Sequence, residues 1–193
     1  MDFPLFETLC LEQGKLKNIA LHQARYEHSL HQFYAQTEIK KLCIFEQITQ
    51  HRDFTQAYTL PLVRCRFAYN QTECDIQFFP YQRKKYQTFQ QVICNEIEYS
   101  LKYNQRDTLN HLFAQRGNCD EIIIIKQGKV TDCSIGNLVF RKGSEWFTPD
   151  SPLLAGTQRA HLLQNGKIQV RPIFAQDIST YDEIRLINAL NPL

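Results

Sequence analysis

Apolar and polar positions divide the first third of the chain into recognisable periods. Residues 5–11 are mostly apolar and run into the polar stretch 12–15 around Gly14, which predicts a strand, a tight turn and a short return strand. The spacing then lengthens: Leu21, Ala24, His28 and Leu30 to Phe33 recur at helical intervals over residues 19–35, with Asn18 placed to cap the helix. A second helix is expected over residues 38–50. Two extended stretches follow, residues 60–69 and 73–79, joined by the turn Asn70-Gln71-Thr72.

Residues 80–88, PYQRKKYQT, form the most polar segment and read as a linker. Beyond them short apolar strands (residues 92–94, 121–125, 138–141, 168–170 and 183–187) alternate with turns, and helices are expected over 108–116 and 157–163. The pattern predicts an α+β chain with two lobes: a small N-terminal α+β lobe over residues 1–88 and a larger β-rich lobe over 89–193 that holds Lys102.

Composition narrows the partners. A net charge of +2 on 193 residues, with 22% of them charged, gives no strong attraction to nucleic acid or to a membrane surface. The seven cysteines are odd in number, contain no C-x-x-C and match no zinc spacing, so unpaired thiols in a reducing compartment and no metal are expected. The first residues lack a secretory pattern and no apolar run is long enough for a bilayer; a cytoplasmic protein is the expectation.

Four places carry candidate chemistry. Asp132 lies in GKVTDCSIGNLVF among Val130, Cys133, Ile135 and Leu138, where a carboxylate is costly unless a positive or hydrogen-bonding group meets it. Lys102, between Leu101 and Tyr103, has two readings: a strand-end lysine snorkelling to solvent, or a desolvated amine available as nucleophile or base. Gly156 and Thr157 open a helix whose free N–H groups suit an anion, although a plain helix start reads the same way. Arg25 is either a surface ion-pair former or half of a phosphate clamp. An acid, an amine, a guanidinium and an anion nest together are the set that pyridoxal 5′-phosphate needs, yet most globular domains contain these residue types.

Order and local wording decide the matter. LFETLCLEQGKLKNIALHQARYEHSL resembles the N-terminal signature of the class IV (fold type IV) pyridoxal phosphate enzymes, the D-amino acid aminotransferase-like fold. GKVTDCSIGNLVF is similar to the segment whose acid faces the pyridine nitrogen, FTPDSPLLAGTQRAHLL to the phosphate-binding turn, and YDEIRLINALNPL to the closing segment near the substrate. The resemblance touches nearly the whole chain in order. It implies that Lys102 carries the cofactor and acts as the base. It assigns Asp132 to the ring nitrogen, and Arg25, Gly156, Thr157 and Gln158 to the phosphate. It also implies a homodimer acting on a small amino substrate.

Within the family the chain looks most like the 4-amino-4-deoxychorismate lyases of the folate branch, which give 4-aminobenzoate and pyruvate. Arg106 stands four residues after Lys102, as in lyase-like members, Asp107 occupies the place of a tyrosine common in transaminases, and the chain ends in the lyase-like Asn188-Ala189-Leu190. On this resemblance Arg106, Asn188 and Tyr103 are substrate-binding candidates. A class IV transaminase for branched-chain or D-amino acids, and a non-catalytic remnant of the fold serving as a binding module, are the alternatives. Three departures stand out: Asp132 replaces the usual glutamate, Gln158 the usual threonine or methionine, and the chain starts almost at Phe6-Glu7-Thr8, so a truncated N-terminus lacking the first hairpin is expected.

Overall fold

Strand β1 (Leu5–Glu12) turns into β2 (Lys15–Leu16) through Gln13 and Gly14, which both hold left-handed backbone, φ 48° and 71°. A side chain at Gly14 would also press on the Tyr58 ring. The computed structural model describes residues 2–35 and 41–193. These divide into two compact units, Met1–Arg83 with Leu101–Gln105, and Lys84–Ser100 with Arg106–Leu193.

In the first unit β1 pairs antiparallel with β3 (Leu62–Tyr69), and β3 with β4 (Cys74–Pro80), giving the sheet order β2-β1-β3-β4. Alternation sends Leu5, Leu9, Cys65, Phe67 and Tyr69 to one face, where they bury against Tyr26 and Leu30 of α1 (Ile19–Tyr34) and Ile44 and Ile48 of α2 (Ile44–Thr49). The buried stripe of α1 is His22, Tyr26, Ser29 and Leu30, with Ala24 and His28 exposed. The expected apolar stripe is thus rotated, because polar His22 and Ser29 sit on the inner face. Asn18 holds the N-cap position in left-handed backbone, φ 53°, and makes no capping bond with its side chain. The expected helix over 38–50 is observed only as α2, and residues 38–40 lie outside the described residues. A short α3 (Phe54–Tyr58) was not foreseen.

The chain re-enters this unit at Leu101–Gln105. Leu101 joins its core, Phe6 N–H donates to the Lys102 carbonyl at 3.1 Å, Tyr103 bridges Leu5, and Asn104 N–H donates to the Pro4 carbonyl at 2.7 Å. Lys102 therefore belongs with the first unit, not with the C-terminal lobe in which it was expected, and the first stretch of that unit runs to Arg83 where the expected boundary was 88.

The second unit has two sheets. β5 (Phe89–Ile93) runs parallel to β6 (Glu121–Lys126), and β7 (Lys129–Val130) completes the hairpin read from the sequence. The isoleucines of β6 are buried on both faces. Ile122 and Ile124 pack with Leu109 and Leu112 of α4 (Asp107–Ala114), while Ile123 and Ile125 join Leu138 and Phe140. The other sheet has the order β10-β9-β8-β11, from β8 (Asn137–Lys142), β9 (Glu145–Pro149), β10 (Gln169–Arg171) and β11 (Glu183–Ile187). α5 (Thr157–Gln164) buries Leu162 against Val139, Ile168 and Ile187. β9 and a 3₁₀ helix at Ala175–Thr180 were not foreseen. Among the described residues no helix is long and apolar enough to cross a membrane. All seven cysteines are free thiols.

Candidate active site

In the first unit the sequence candidate Arg25 is fixed by a residue that sequence reasoning passed over. Glu7 is wholly buried; its Oε1 accepts from Arg25 Nε at 2.8 Å, and its Oε2 accepts from Arg25 Nη2 and from His22 Nδ1, the latter at 2.6 Å. Helical spacing puts His22 and Arg25 on one side of α1, over the strand position of Glu7. Burial works against the Glu7 charge, but the Arg25 guanidinium and the hydrogen bonds from His22 and Arg25 outweigh it and hold the carboxyl down to about 2. Burial lowers His22, opposed by its bond to Glu7. The imidazole is thus a neutral donor, and Arg25 is a cation oriented from behind.

Lys102 is positioned by main chain. The bond from Phe6 N–H brings its backbone beside β1, and its Nζ lies 4.8 Å from the centroid of the Phe6 ring. Tyr103, next in sequence, packs against the first unit's core beside Phe33.

In the second unit Asp132 is buried, and donors from the protein meet it: Asn137 Nδ2 donates to Oδ1 at 2.8 Å and Leu154 N–H to Oδ2 at 2.9 Å. Burial pushes the carboxyl up to about 6, against the lowering effect of the Leu154, Asn137 and Leu153 hydrogen bonds and of Arg159. With its carboxyl at about 6 the group is ionised at neutral pH, and it makes no ion pair among the described residues.

Asn137 ties this carboxylate to the start of α5. Its Nδ2 also donates to the Leu154 carbonyl at 3.0 Å, and a Cβ at Gly156 would overlap its Oδ1. Gly156 has φ −72°, an ordinary value, so glycine is required there by space and not by backbone conformation. Thr157 and Gln158 follow in the first turn of α5, both buried. Gly156, Thr157, Gln158 and Asp132 thus belong to one assembly joined through Asn137 and residue 154.

Arg106 precedes α4. Its Nη2 donates to the Ser134 carbonyl, and its Nε is buried without a hydrogen-bond partner among the described residues. Glu121, also buried, accepts from Ser134 Oγ at 2.8 Å and is raised by burial, with Arg106 among the groups opposing that rise. Asn188 is committed to the chain around it: Oδ1 accepts from Leu190 N–H and Asn191 N–H, and Nδ2 donates to the Ile135 carbonyl at 3.2 Å.

Arg25, Lys102 and Tyr103 therefore fall in the first unit, and Asp132, Arg106, Gly156, Thr157, Gln158 and Asn188 in the second. Glu7, His22, Asn137, Glu121 and Ser134 were missed. The signal for the first two was present: an acid on a strand facing a helix that carries His22 and Arg25 three residues apart.

These arrangements have close counterparts. A family model described as amino-transferase class IV matches residues 99–193. A Haemophilus influenzae protein of uncharacterized function is 58% identical over 191 residues, 99% of this chain and 100% of that protein. A crystal structure from Haemophilus somnus 129PT, provisionally named a 4-amino-4-deoxychorismate lyase, is 52% identical and superposes with a TM-score of 0.95 over 100% of this chain and 99% of the other. A hypothetical aminotransferase from Mycobacterium tuberculosis, in a form with pyridoxal phosphate bound, gives a TM-score of 0.78 at 15% identity, covering 98% of this chain and 78% of its own; that likeness is one of fold. The chain belongs to the class IV aminotransferase family and has the fold type IV architecture. Among the members of that family, the lyase-named protein is similar to it from end to end.

Proposed function

We propose that the protein is a pyridoxal phosphate enzyme that converts 4-amino-4-deoxychorismate to 4-aminobenzoate and pyruvate, acting as a homodimer. The observation that carries this reading is Arg106, a partly buried guanidinium four positions after Lys102 in sequence, whose Nε has no acceptor among the described residues. An unsatisfied buried donor of that charge suits a substrate carboxylate.

The residues present fit the cofactor by the chemistry of their donors. Lys102 offers the amine, Arg25 a guanidinium fixed by Glu7, Gly156 to Gln158 the start of a helix, and Asp132 a buried carboxylate. When bound, pyridoxal phosphate supplies an aldehyde for amine exchange and a cationic ring that withdraws electron density from the substrate carbon.

The chain's own part is proton handling and orientation. Lys102 Nζ takes the proton from the amine-bearing carbon of the substrate. Asp132 holds the proton on the ring nitrogen, and a carboxyl with a pKa of about 6 is ionised for that task at neutral pH. Arg25 binds the phosphate, and Arg106 orients the substrate through a carboxylate. Release of pyruvate leaves an aromatic product.

The test is direct. Borohydride treatment of the protein after addition of pyridoxal phosphate is expected to leave a pyridoxyl adduct on Lys102 by mass spectrometry, absent in Lys102→Ala. Incubation with 4-amino-4-deoxychorismate is expected to release 4-aminobenzoate. Failure of both removes the enzyme reading; a pyridoxamine form produced with branched-chain or D-amino acids, and no aminobenzoate, makes the protein a transaminase.

A further inference from the structure

Two cations share one ring in the first unit. Lys102 Nζ lies 4.8 Å and the Arg66 guanidinium carbon 5.2 Å from the centroid of Phe6. Register explains the meeting. Arg66 of β3 stands opposite Thr8 of β1, on the sheet face that also carries Phe6 and turns away from Glu7. The 101–105 segment then brings Lys102 to the same ring.

Arg66 is half-buried, and its polar partner is the neutral Asn104 Oδ1, which accepts from Nη2 at 2.7 Å. No carboxylate among the described residues makes an ion pair with it. Burial lowers its pKa; Asp75 opposes this from a distance, and Arg64, on the same face, adds to it. Arg64 itself covers Phe79 at 4.5 Å. A partly desolvated guanidinium that makes no ion pair among the described residues, and that shares a ring with an amine, is suited to bind a carboxylate.

We infer that Arg66 is a specificity-determining residue that recognises a carboxylate on the ligand whose amine Lys102 handles. The inference rests on the reading of Lys102 as the reactive amine, and it adds a second cation, distinct from Arg106, to the substrate contacts. It makes the preferred substrate an amino compound with an acidic group near the reacting amine, and it disfavours the corresponding amide or ester.

The test uses 4-aminobenzoate and 4-aminobenzamide as probes, titrated calorimetrically into the protein with and without pyridoxal phosphate. Arg66→Met keeps the apolar stem over Phe6 and removes the charge; Arg66→Lys keeps the charge and guards against a folding artefact. Arg66→Met is expected to weaken 4-aminobenzoate by about tenfold or more while leaving the amide unchanged, with Arg66→Lys in between. Equal affinity of wild type and Arg66→Met for the acid, or no preference of wild type for acid over amide, overturns the proposal. Borohydride trapping on the same samples reports separately on Lys102, so an absent adduct sinks that reading while the calorimetry without cofactor still decides Arg66.

Discussion

Glu7 holds Arg25 side-on, one carboxylate oxygen to Nε and the other to Nη2, with His22 bonded to the second oxygen. The guanidinium is therefore oriented before any ligand arrives, and the cost of burying the acid is met inside the unit. Glu7 has its carboxyl at about 2 against an ordinary 4.5. The native state thus binds this proton less tightly than the unfolded chain. The resulting stability, on the order of 3 kcal/mol, is complete above about pH 5 and lost as pH falls from there towards 2. Glu7→Gln should lose about that much at pH 7 in urea unfolding followed by circular dichroism. The gap to wild type should close at low pH.

Arg25→Lys keeps a positive charge but not the fork. Without the two bonds to Glu7 that orient the cation, it should weaken pyridoxal phosphate by roughly tenfold and leave pyridoxal, which lacks the phosphate, unaffected. Equilibrium dialysis with the two compounds measures the difference.

Asp132 behaves in the opposite sense to Glu7. With a native pKa of about 6 against 3.8, the folded protein holds this proton more tightly than the unfolded chain. The penalty on stability is full above about pH 6 and relieved as pH falls to about 4. A carbon-13 titration of the Asp132 carboxyl should show its midpoint near 6. Asn137→Ala removes a donor to the ionised form and should move the midpoint higher.

Gly156→Ala drives a methyl into Asn137 Oδ1, and that amide is pinned by Asp132 and the Leu154 carbonyl. The expected cost is about 1–3 kcal/mol, smaller in an Asn137→Ala background where the obstructing group is gone. Trp146 packs in the same unit, beside Leu162 and Ile187. Its fluorescence during urea unfolding of the four proteins gives the coupling energy directly.

Strand positions were the most legible part of this chain. The apolar run of β1, the Asn70 turn and the four consecutive isoleucines of β6 are local signals that need no tertiary information. The inner face of α1 was misread because two of its buried residues, His22 and Ser29, are polar. Hydropathy cannot register a histidine buried for the sake of a carboxylate fifteen residues earlier in the chain. Lys102, Asp132 and Arg25 were singled out by local wording. The partners of Arg25 and Asp132 were not: Glu7 and Asn137 act across gaps in sequence, and such partners become visible only once strands and helices are paired. Asp132 in particular was expected to await a cationic ring, whereas Asn137 and the chain at Leu154 already solvate it.

The return of Leu101–Gln105 to β1 has a practical bearing on dissection. An expressed fragment ending at Arg83 would keep the whole four-stranded sheet, yet Leu101 would be missing from its interior and the Phe6 amide would lose its acceptor. The complementary piece would carry the lysine on a tether severed from the surface that seats it. Neither half reproduces its native environment alone, so splitting this protein by cutting once should yield pieces that regain order only when mixed.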